Sequence, residues 1–423
     1  MSELGVGKQY EVRIEGLAYR GDGFSHIDGK VVFIPFSLPE EKILIGIVSE
    51  KKDFARAKIL EIFEKSPFRI SPRCSHFGIC GGCHLQHIEY PEQIRLKQNW
   101  AKESINSLQM EKVKWLIPIK SPSTFEYRQK VQFHRGMNGN WGFYQPQSHL
   151  VVPLTECPIS HPNIIDVFKK LITLLPKKVK EFELVCNYQN GDVFLGLTQI
   201  HGLKNLQKIG RLKGIYSLND KPSKGTSELL FEQKILGHTF QNTLGNFFQV
   251  NGEQNQKLIE MILNLSDAHS GILNDKVVWD LYSGNGNISI PLAPYCQKIL
   301  CLEENPKASQ NCKQNAIRNG VDNVFCFTGK VEDRWSEILL KHGPPGLIIL
   351  DPPRRGAKEI ITKLFILIKE CNYKPKIIYI SCDLPCLARD AREIILGGYQ
   401  ITEGVMVDMF PQTYLLETVL VFQ

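Results

Sequence analysis

The chain of 423 residues carries 51 Lys+Arg against 44 Asp+Glu, a formal charge of +7, and 43% of it is hydrophobic. That length admits two or three domains, and the apolar content can fill real cores. No uninterrupted apolar stretch is long enough for a bilayer, and the opening Met-Ser-Glu-Leu-Gly-Val-Gly-Lys lacks a signal-peptide core, so a cytoplasmic protein with no membrane partner is expected. The mildly basic balance suits a protein that meets nucleic acid without demanding it. Twelve cysteines without a secretory signal argue against a disulfide framework and for metal binding or catalysis at some of them.

From Tyr10 to Lys65, short apolar-alternating runs (Tyr10–Ile14, Lys30–Ile34, Ile43–Val48) are separated by turn signals at Gly21-Asp22-Gly23 and Asp28-Gly29. Even spacing of this kind predicts a five-stranded OB-type barrel, which binds RNA or serves structure alone. Next, Cys74, Cys80 and Cys83 are separated by five and two residues, and Cys157 offers a distant fourth thiolate. Four thiolates suit zinc or an iron–sulfur cluster; the lack of a second close pair tilts the spacing toward the cluster and leaves both open. A helix is expected over Tyr90–Leu108. The mixed region from 115 to 250 has strand-like stretches at Tyr127–Phe133, Leu150–Leu154 and Asp192–Thr198, and its pattern assigns no fold.

From Lys276 onward strands and helices alternate. Strands are expected at Val277–Leu281, Ile299–Leu302, Val324–Phe327, Leu347–Leu350 and Ile377–Ile380, with helices at Pro306–Asn319 and Leu384–Leu396. The pattern is that of an α/β protein with a C-terminal doubly wound, Rossmann-like parallel sheet, its far edge closed by Ile401–Val407 and Glu417–Phe422. The domains divide at 1–66, 67–250 and 251–423.

Three strand ends carry chemistry, because ligands collect at the carboxyl edge of an open α/β sheet. The first strand runs into Tyr282-Ser283-Gly284-Asn285-Gly286-Asn287, a turn that admits close backbone approach to a ligand. It has neither a third glycine at dinucleotide spacing nor a Walker lysine, and Glu303-Glu304 ends the second strand where ribose hydroxyls would lie. A nucleoside without a pyrophosphate fits, with S-adenosylmethionine the leading candidate. The fourth strand delivers Asp351-Pro352-Pro353-Arg354-Arg355-Gly356, a loop stiffened by two prolines. The fifth ends in Ser381-Cys382-Asp383, where the thiol is a nucleophile or a small core residue.

Together these motifs resemble the RNA uracil-C5 methyltransferase family, which makes 5-methyluridine in ribosomal and transfer RNA, and the resemblance covers nearly the whole chain. It implies that residues 10–65 are a TRAM domain and that Cys74, Cys80, Cys83 and Cys157 hold a [4Fe-4S] cluster. By the same match Gln249, within Asn246-Phe247-Phe248-Gln249-Val250-Asn251, and Tyr282, Gly284, Asn287, Glu303 and Asp351 contact S-adenosylmethionine. Ser381-Cys382-Asp383 with Leu387-Ala388-Arg389-Asp390 matches the nucleophile motif, and Asp408–Thr413 with Glu417 matches the motif of the general base. The implied reaction is methylation of uracil C5 through a covalent adduct of Cys382 with C6.

The implied partner is RNA, ribosomal 23S first and transfer RNA as the alternative, with no obligate protein partner. Amino-group methylation and non-catalytic RNA binding are the rival functions. Phe133, Phe247 and Phe248 are candidate base stackers beside a core role, and Arg128 and Lys130 candidate phosphate contacts. Departures from the family pattern are Leu415 in place of His, Lys330 in place of Asn or Ala, and Leu384-Pro385-Cys386 after Asp383.

Overall fold

The computed structural model describes residues 3–109, 112–198, 206, 209–218, 230–371 and 373–423. The chain forms two compact units, one from Met1–Trp100, Gly136–Pro158 and Phe410–Leu415, the other from Ala101–Arg135, Ile159–Met409 and Leu416–Gln423.

The first unit opens with β1 (Gln9–Arg13), β2 (Gly16–Leu17), β3 (Asp22–Ile27), β4 (Lys30–Pro35), β5 (Lys42–Glu50) and β6 (Phe54–Glu64). Their order is β1-β5-β6-β4-β3-β2. Alternate residues such as Val32, Ile34, Ile43, Ile45, Ile47, Ala55 and Ala57 point into one buried core, as period-two patterning requires. β1 and β2 act as one bent strand: Ile14 N–H donates to Glu41 O, and Glu15 N–H to Phe24 O. The bend lets that strand pair with β5 on one side and β3 on the other, so the expected five-stranded OB-type barrel forms. Helix α1 (Tyr90–Asn106) follows the cysteine segment and ends two residues sooner than its pattern predicts.

Next come β7 (Lys114–Trp115) and β8 (Lys130–Arg135), then a hairpin of β9 (Trp141–Tyr144) and β10 (Val151–Pro153) in the first unit. The strand expected at Tyr127–Phe133 begins three residues later, with Arg128 making only an isolated bridge to Ser160. In the second unit α2 (Pro162–Leu171) precedes β11 (Glu181–Cys186), β12 (Val193–Leu197) and β13 (Leu212–Ser217). These strands line up as β8-β11-β12-β13. α2 was not expected from the pattern; it buries Ile164, Val167, Phe168 and Leu171 on one face. The hairpin β14 (Leu230–Ile235)–β15 (His238–Thr243) and helix α3 (Gly252–Leu265) lead to the C-terminal sheet.

That sheet contains β16 (Val277–Leu281), β17 (Lys298–Glu303), β18 (Val324–Thr328), β19 (Leu347–Leu350), β20 (Lys376–Ser381), β21 (Ile401–Val407) and β22 (Glu417–Phe422). The order is β18-β17-β16-β19-β20-β22-β21-β7, with β16–β20 parallel and β22 antiparallel to both neighbours. The far edge is therefore not β21, as expected, but the two-residue β7 from far upstream. The intervening helices are α4 (Ser289–Leu292), α5 (Pro306–Arg318), α6 (Val331–His342), α7 (Lys358–Cys371) and α8 (Leu384–Leu396). Strand order runs outward in both directions from the β16/β19 pair, so this is the switch point where a crevice opens at the carboxyl edge. Among the described residues no helix is long and apolar enough to cross a membrane.

Candidate active site

Strand register brings the reacting groups together. β20 pairs antiparallel with β22 so that Ser381 faces Thr418, which sets Cys382 beside Glu417. β20 also pairs parallel with β19, Leu350 against Tyr379, so Asp351 emerges at the same edge. The Asp351 charge acts on both of the others. Burial pushes the Cys382 thiol up to about 12, the Glu417 and Asp351 charges add to this, and Arg354 opposes it. Burial and the Asp351 charge hold Glu417 well above the usual carboxylate range, again against Arg354. Asp351 rises to about 7 through burial alone. Perturbed titratable groups gathered at a strand edge mark a candidate place for proton transfer.

The supports of this edge explain the rest of the nucleophile motif. Asp383 caps α8, its Oδ1 accepting from Cys386 N–H at 3.0 Å, and Pro385 sits in the first turn where its missing N–H costs nothing. The Leu384-Pro385-Cys386 departure thus leaves the helix start intact. Asp390 is fully buried and accepts from Tyr379 Oη at 2.7 Å and Ala357 N–H at 2.6 Å. Arg389 donates to Asp390 at 2.8 Å and to Arg355 O at 2.8 Å. This network fastens α8 to the Asp351–Gly356 loop, a role no spacing in the sequence announces.

The glycine turn lies beside it. Tyr282 has φ 66°, an uncommon conformation for a bulky residue, and its Oη donates to Glu332 at 2.7 Å. Gly284 N–H donates to Glu303 Oε2 at 2.9 Å, and Asn305 N–H to Glu303 Oε1 at 2.7 Å. Each carboxylate oxygen keeps a lone pair for a further donor such as a ribose hydroxyl. A Cβ on Gly284 would meet nothing within 4 Å, so open space borders the turn there, whereas one on Gly286 would lie 2.9 Å from Cys312 Sγ. Buried Asp280 accepts from Ser289 with Oδ2, while its Oδ1 has no hydrogen-bond partner. The Glu303 carboxylate beside a glycine turn bordered by open space fits a nucleoside cofactor. Asn287 exchanges two 2.9 Å hydrogen bonds with Asn255, so its amide is engaged with α3. Gln249 is half-buried, and its main-chain oxygen accepts from Gln129 Nε2 at 2.8 Å.

All four cysteines of the predicted quartet lie in the first unit. Burial raises Cys83 to about 12, Gln86 opposes this, and Cys157, Cys80 and Cys74 add to it, so the four share one environment. Gln86 also accepts from Cys74 N–H at 3.0 Å. Buried polar atoms without a hydrogen-bond partner cluster here: Gln86 Nε2, His76 Nε2, His84 Nδ1 and both ring nitrogens of His87. The donor set fits a thiolate-bound group. A different trio, Cys301, Cys312 and Cys326, is the group whose Sγ atoms lie within 4.8 Å of one another among the described residues. The trio lies on β17, α5 and β18, beneath Gly286, where Cys301 and Cys326 are cross-strand neighbours.

The proposed RNA contacts separate cleanly. Phe133 is fully buried, stacked on Phe168 at 4.3 Å and Phe182 at 5.1 Å, and Phe248 packs on Phe231 at 4.9 Å. Both are core residues. Phe247 is 78% exposed. Lys130 pairs with Glu183 at 3.2 Å and lies over the Phe248 ring, and Arg128 Nε donates to Lys130 O at 3.1 Å.

Comparison with known proteins identifies the family. A family model described as tRNA (Uracil-5-)-methyltransferase matches residues 226–423, and a TRAM domain model matches residues 3–60. An uncharacterized RNA methyltransferase of Clostridium acetobutylicum is 30% identical over 98% of this chain and 96% of its own. The 23S rRNA (uracil(1939)-C(5))-methyltransferase RlmD of Alkalilimnicola ehrlichii is 30% identical over 98% of this chain and 96% of its own. The solved Pyrococcus abyssi tRNA (uracil-54, C5)-methyltransferase, in complex with S-adenosyl-L-homocysteine, shares the fold, with TM-score 0.76, 21% identity, and coverage of 98% of this chain and 99% of that one. Fold and site therefore define a class I S-adenosylmethionine-dependent methyltransferase joined to a TRAM domain. The chain belongs to the RNA uracil-C5 methyltransferase family.

Proposed function

We propose that this enzyme methylates C5 of a uridine in 23S ribosomal RNA through a covalent intermediate on Cys382. The observation that carries the mechanism is the β20–β22 register, which sets Cys382 beside Glu417 at the strand edge that also bears Asp351. Uracil C5 is a weak nucleophile until a thiolate adds to C6. Cys382 makes that bond, which gives C5 carbanion character and divides one hard step into easier ones. Bound S-adenosylmethionine supplies the electrophilic methyl group. Glu417, as carboxylate, then takes the C5 proton, the C6–S bond breaks, and 5-methyluridine leaves with the thiolate restored. Arg354 favours the charged forms of both Cys382 and Glu417. Asp351, near neutrality in its titration, can donate to the uracil edge.

Tyr282, the Gly284–Asn287 turn, Glu303, Asp351 and Gln249 hold the cofactor in this proposal. Cys74, Cys80, Cys83 and Cys157 hold a [4Fe-4S] cluster, and no step runs through it. The target uridine must leave its stack to reach Cys382, so single-stranded or loop RNA is the substrate form. Exposed Phe247 supplies one stacking surface.

Ribosomal RNA is favoured over transfer RNA by the whole-length 30% identity to the 23S enzyme. Mapping 5-methyluridine in RNA from a strain lacking the gene tests this. Loss of the mark from 23S RNA alone is expected, and loss from transfer RNA would reassign the substrate.

A further inference from the structure

Residues 410–415 end two positions ahead of Glu417, and their polar groups are gripped by α1 and by the run after Cys83. Lys97, fully buried in α1, donates from Nζ to Phe410 O at 3.0 Å and to Leu415 O at 2.9 Å, bridging the two ends of the loop. Gln93, one turn earlier and equally buried, donates to Gln412 Oε1 at 3.0 Å and accepts from Gln412 N–H at 3.1 Å. Gln412 O accepts from His84 N–H at 2.9 Å and Leu85 N–H at 3.0 Å. Gln412 itself has φ 68°, a left-handed conformation that a long side chain keeps only where its surroundings over-determine it.

Packing alone does not call for this arrangement. A methionine would fill the space of Lys97 without the desolvation cost of a buried amine. The loop so held leads by chain connection into β22, whose first residue is Glu417. Antiparallel pairing of Glu417 with Val407 restrains only its β21 side.

We propose that Lys97 and Gln93 are positioning residues for the general base, setting the Glu417 carboxylate where it can take the C5 proton. This rests on Glu417 acting as the base in the function proposed above. The step affected is the last. Addition of Cys382 at C6 and methylation at C5 precede it and do not use Glu417 as proton acceptor. A displaced Glu417 therefore leaves a species in which the C6–S and C5–CH3 bonds have both formed and the C5–H bond remains. Completion only moves that proton to Glu417 and returns the C6–S electron pair to sulfur, with no change in oxidation state.

The test compares full-length wild type, Lys97→Met, Gln93→Met and Glu417→Gln, matched in melting temperature and metal content, on substrate RNA with ordinary uridine. Steady-state methylation gives kcat and KM for RNA, and denaturing gels give the fraction of protein held on RNA. Lys97→Met is expected to lower kcat by about tenfold to a hundredfold, the scale of a misplaced reacting group, with KM unchanged and with a methylated adduct accumulating as in Glu417→Gln. Folded Lys97→Met with wild-type kcat, or with lost turnover and no adduct, overturns the proposal. So does a raised KM at wild-type kcat, which marks an RNA-binding role. If Lys97→Met does not fold, Gln93→Met carries the same expectation and the same refutation. Absence of a stalled adduct in Glu417→Gln itself overturns the base assignment beneath both.

Discussion

As the proposed base, Glu417 must be charged to take a proton, yet burial and Asp351 hold it protonated well above the usual carboxylate range. A group with a raised pKa is deprotonated only above that pKa, so turnover rises with pH through its titration. Arg354 lowers both Glu417 and Cys382, and its removal raises both further. Arg354→Gln should therefore move the rising limb of the single-turnover pH–rate profile to higher pH; a limb that stays put or moves down would contradict the electrostatics. A second contrast separates core from surface aromatics. Phe133→Ala should cost about 3–5 kcal/mol in denaturant unfolding, the usual loss for a buried phenylalanine. Phe247→Ala should leave stability unchanged and weaken RNA binding in a filter assay. A phenylalanine looks the same in sequence whether it faces a core or a base, so Phe133 and Phe248 could not be told from Phe247 beforehand. Cys382 and Asp351 were legible as candidates because each ends an apolar run that reads as a strand, whereas Glu417 came from the family resemblance.

At the scale of elements, the glycine turn is constrained from below. Gly286 has φ 86°, and an added Cβ would lie 2.9 Å from Cys312 Sγ. Gly286→Ala should lower stability by about 1–3 kcal/mol through strain and overpacking and weaken cofactor binding measured by calorimetry. Unchanged cofactor affinity would mean that the turn is not part of the cofactor site. The C-terminal strands were predicted nearly to the residue, since parallel strands buried on both faces read as continuous apolar runs. β7 was not, because Lys114-Trp115 is two residues long and takes its place from pairing with Glu403 and Gly404. The Cys301, Cys312 and Cys326 trio was equally invisible: its members are distant in sequence and meet only through β17–β18 pairing and the α5 crossover.

Over the whole molecule, the sequence offered Cys157 as a distant fourth thiolate and the family resemblance grouped it with Cys74, Cys80 and Cys83, and all four lie in the first unit. The assignment of Phe410–Leu415 to that unit, more than 300 residues from α1, has no local signature at all. If the quartet holds a cluster that shapes this unit, Cys83→Ala should lose iron by elemental analysis and lower the melting temperature; iron-free protein of wild-type stability and activity would contradict that role. The central claim is covalent catalysis by Cys382, and 5-fluorouracil tests it most directly, because fluorine at C5 cannot leave as a proton. Protein mixed with S-adenosylmethionine and fluorinated target RNA should form a stable protein–RNA adduct whose RNA-bearing peptide contains Cys382, and Cys382→Ala should form none. No adduct with authentic target RNA, or an undiminished one in Cys382→Ala, would contradict it.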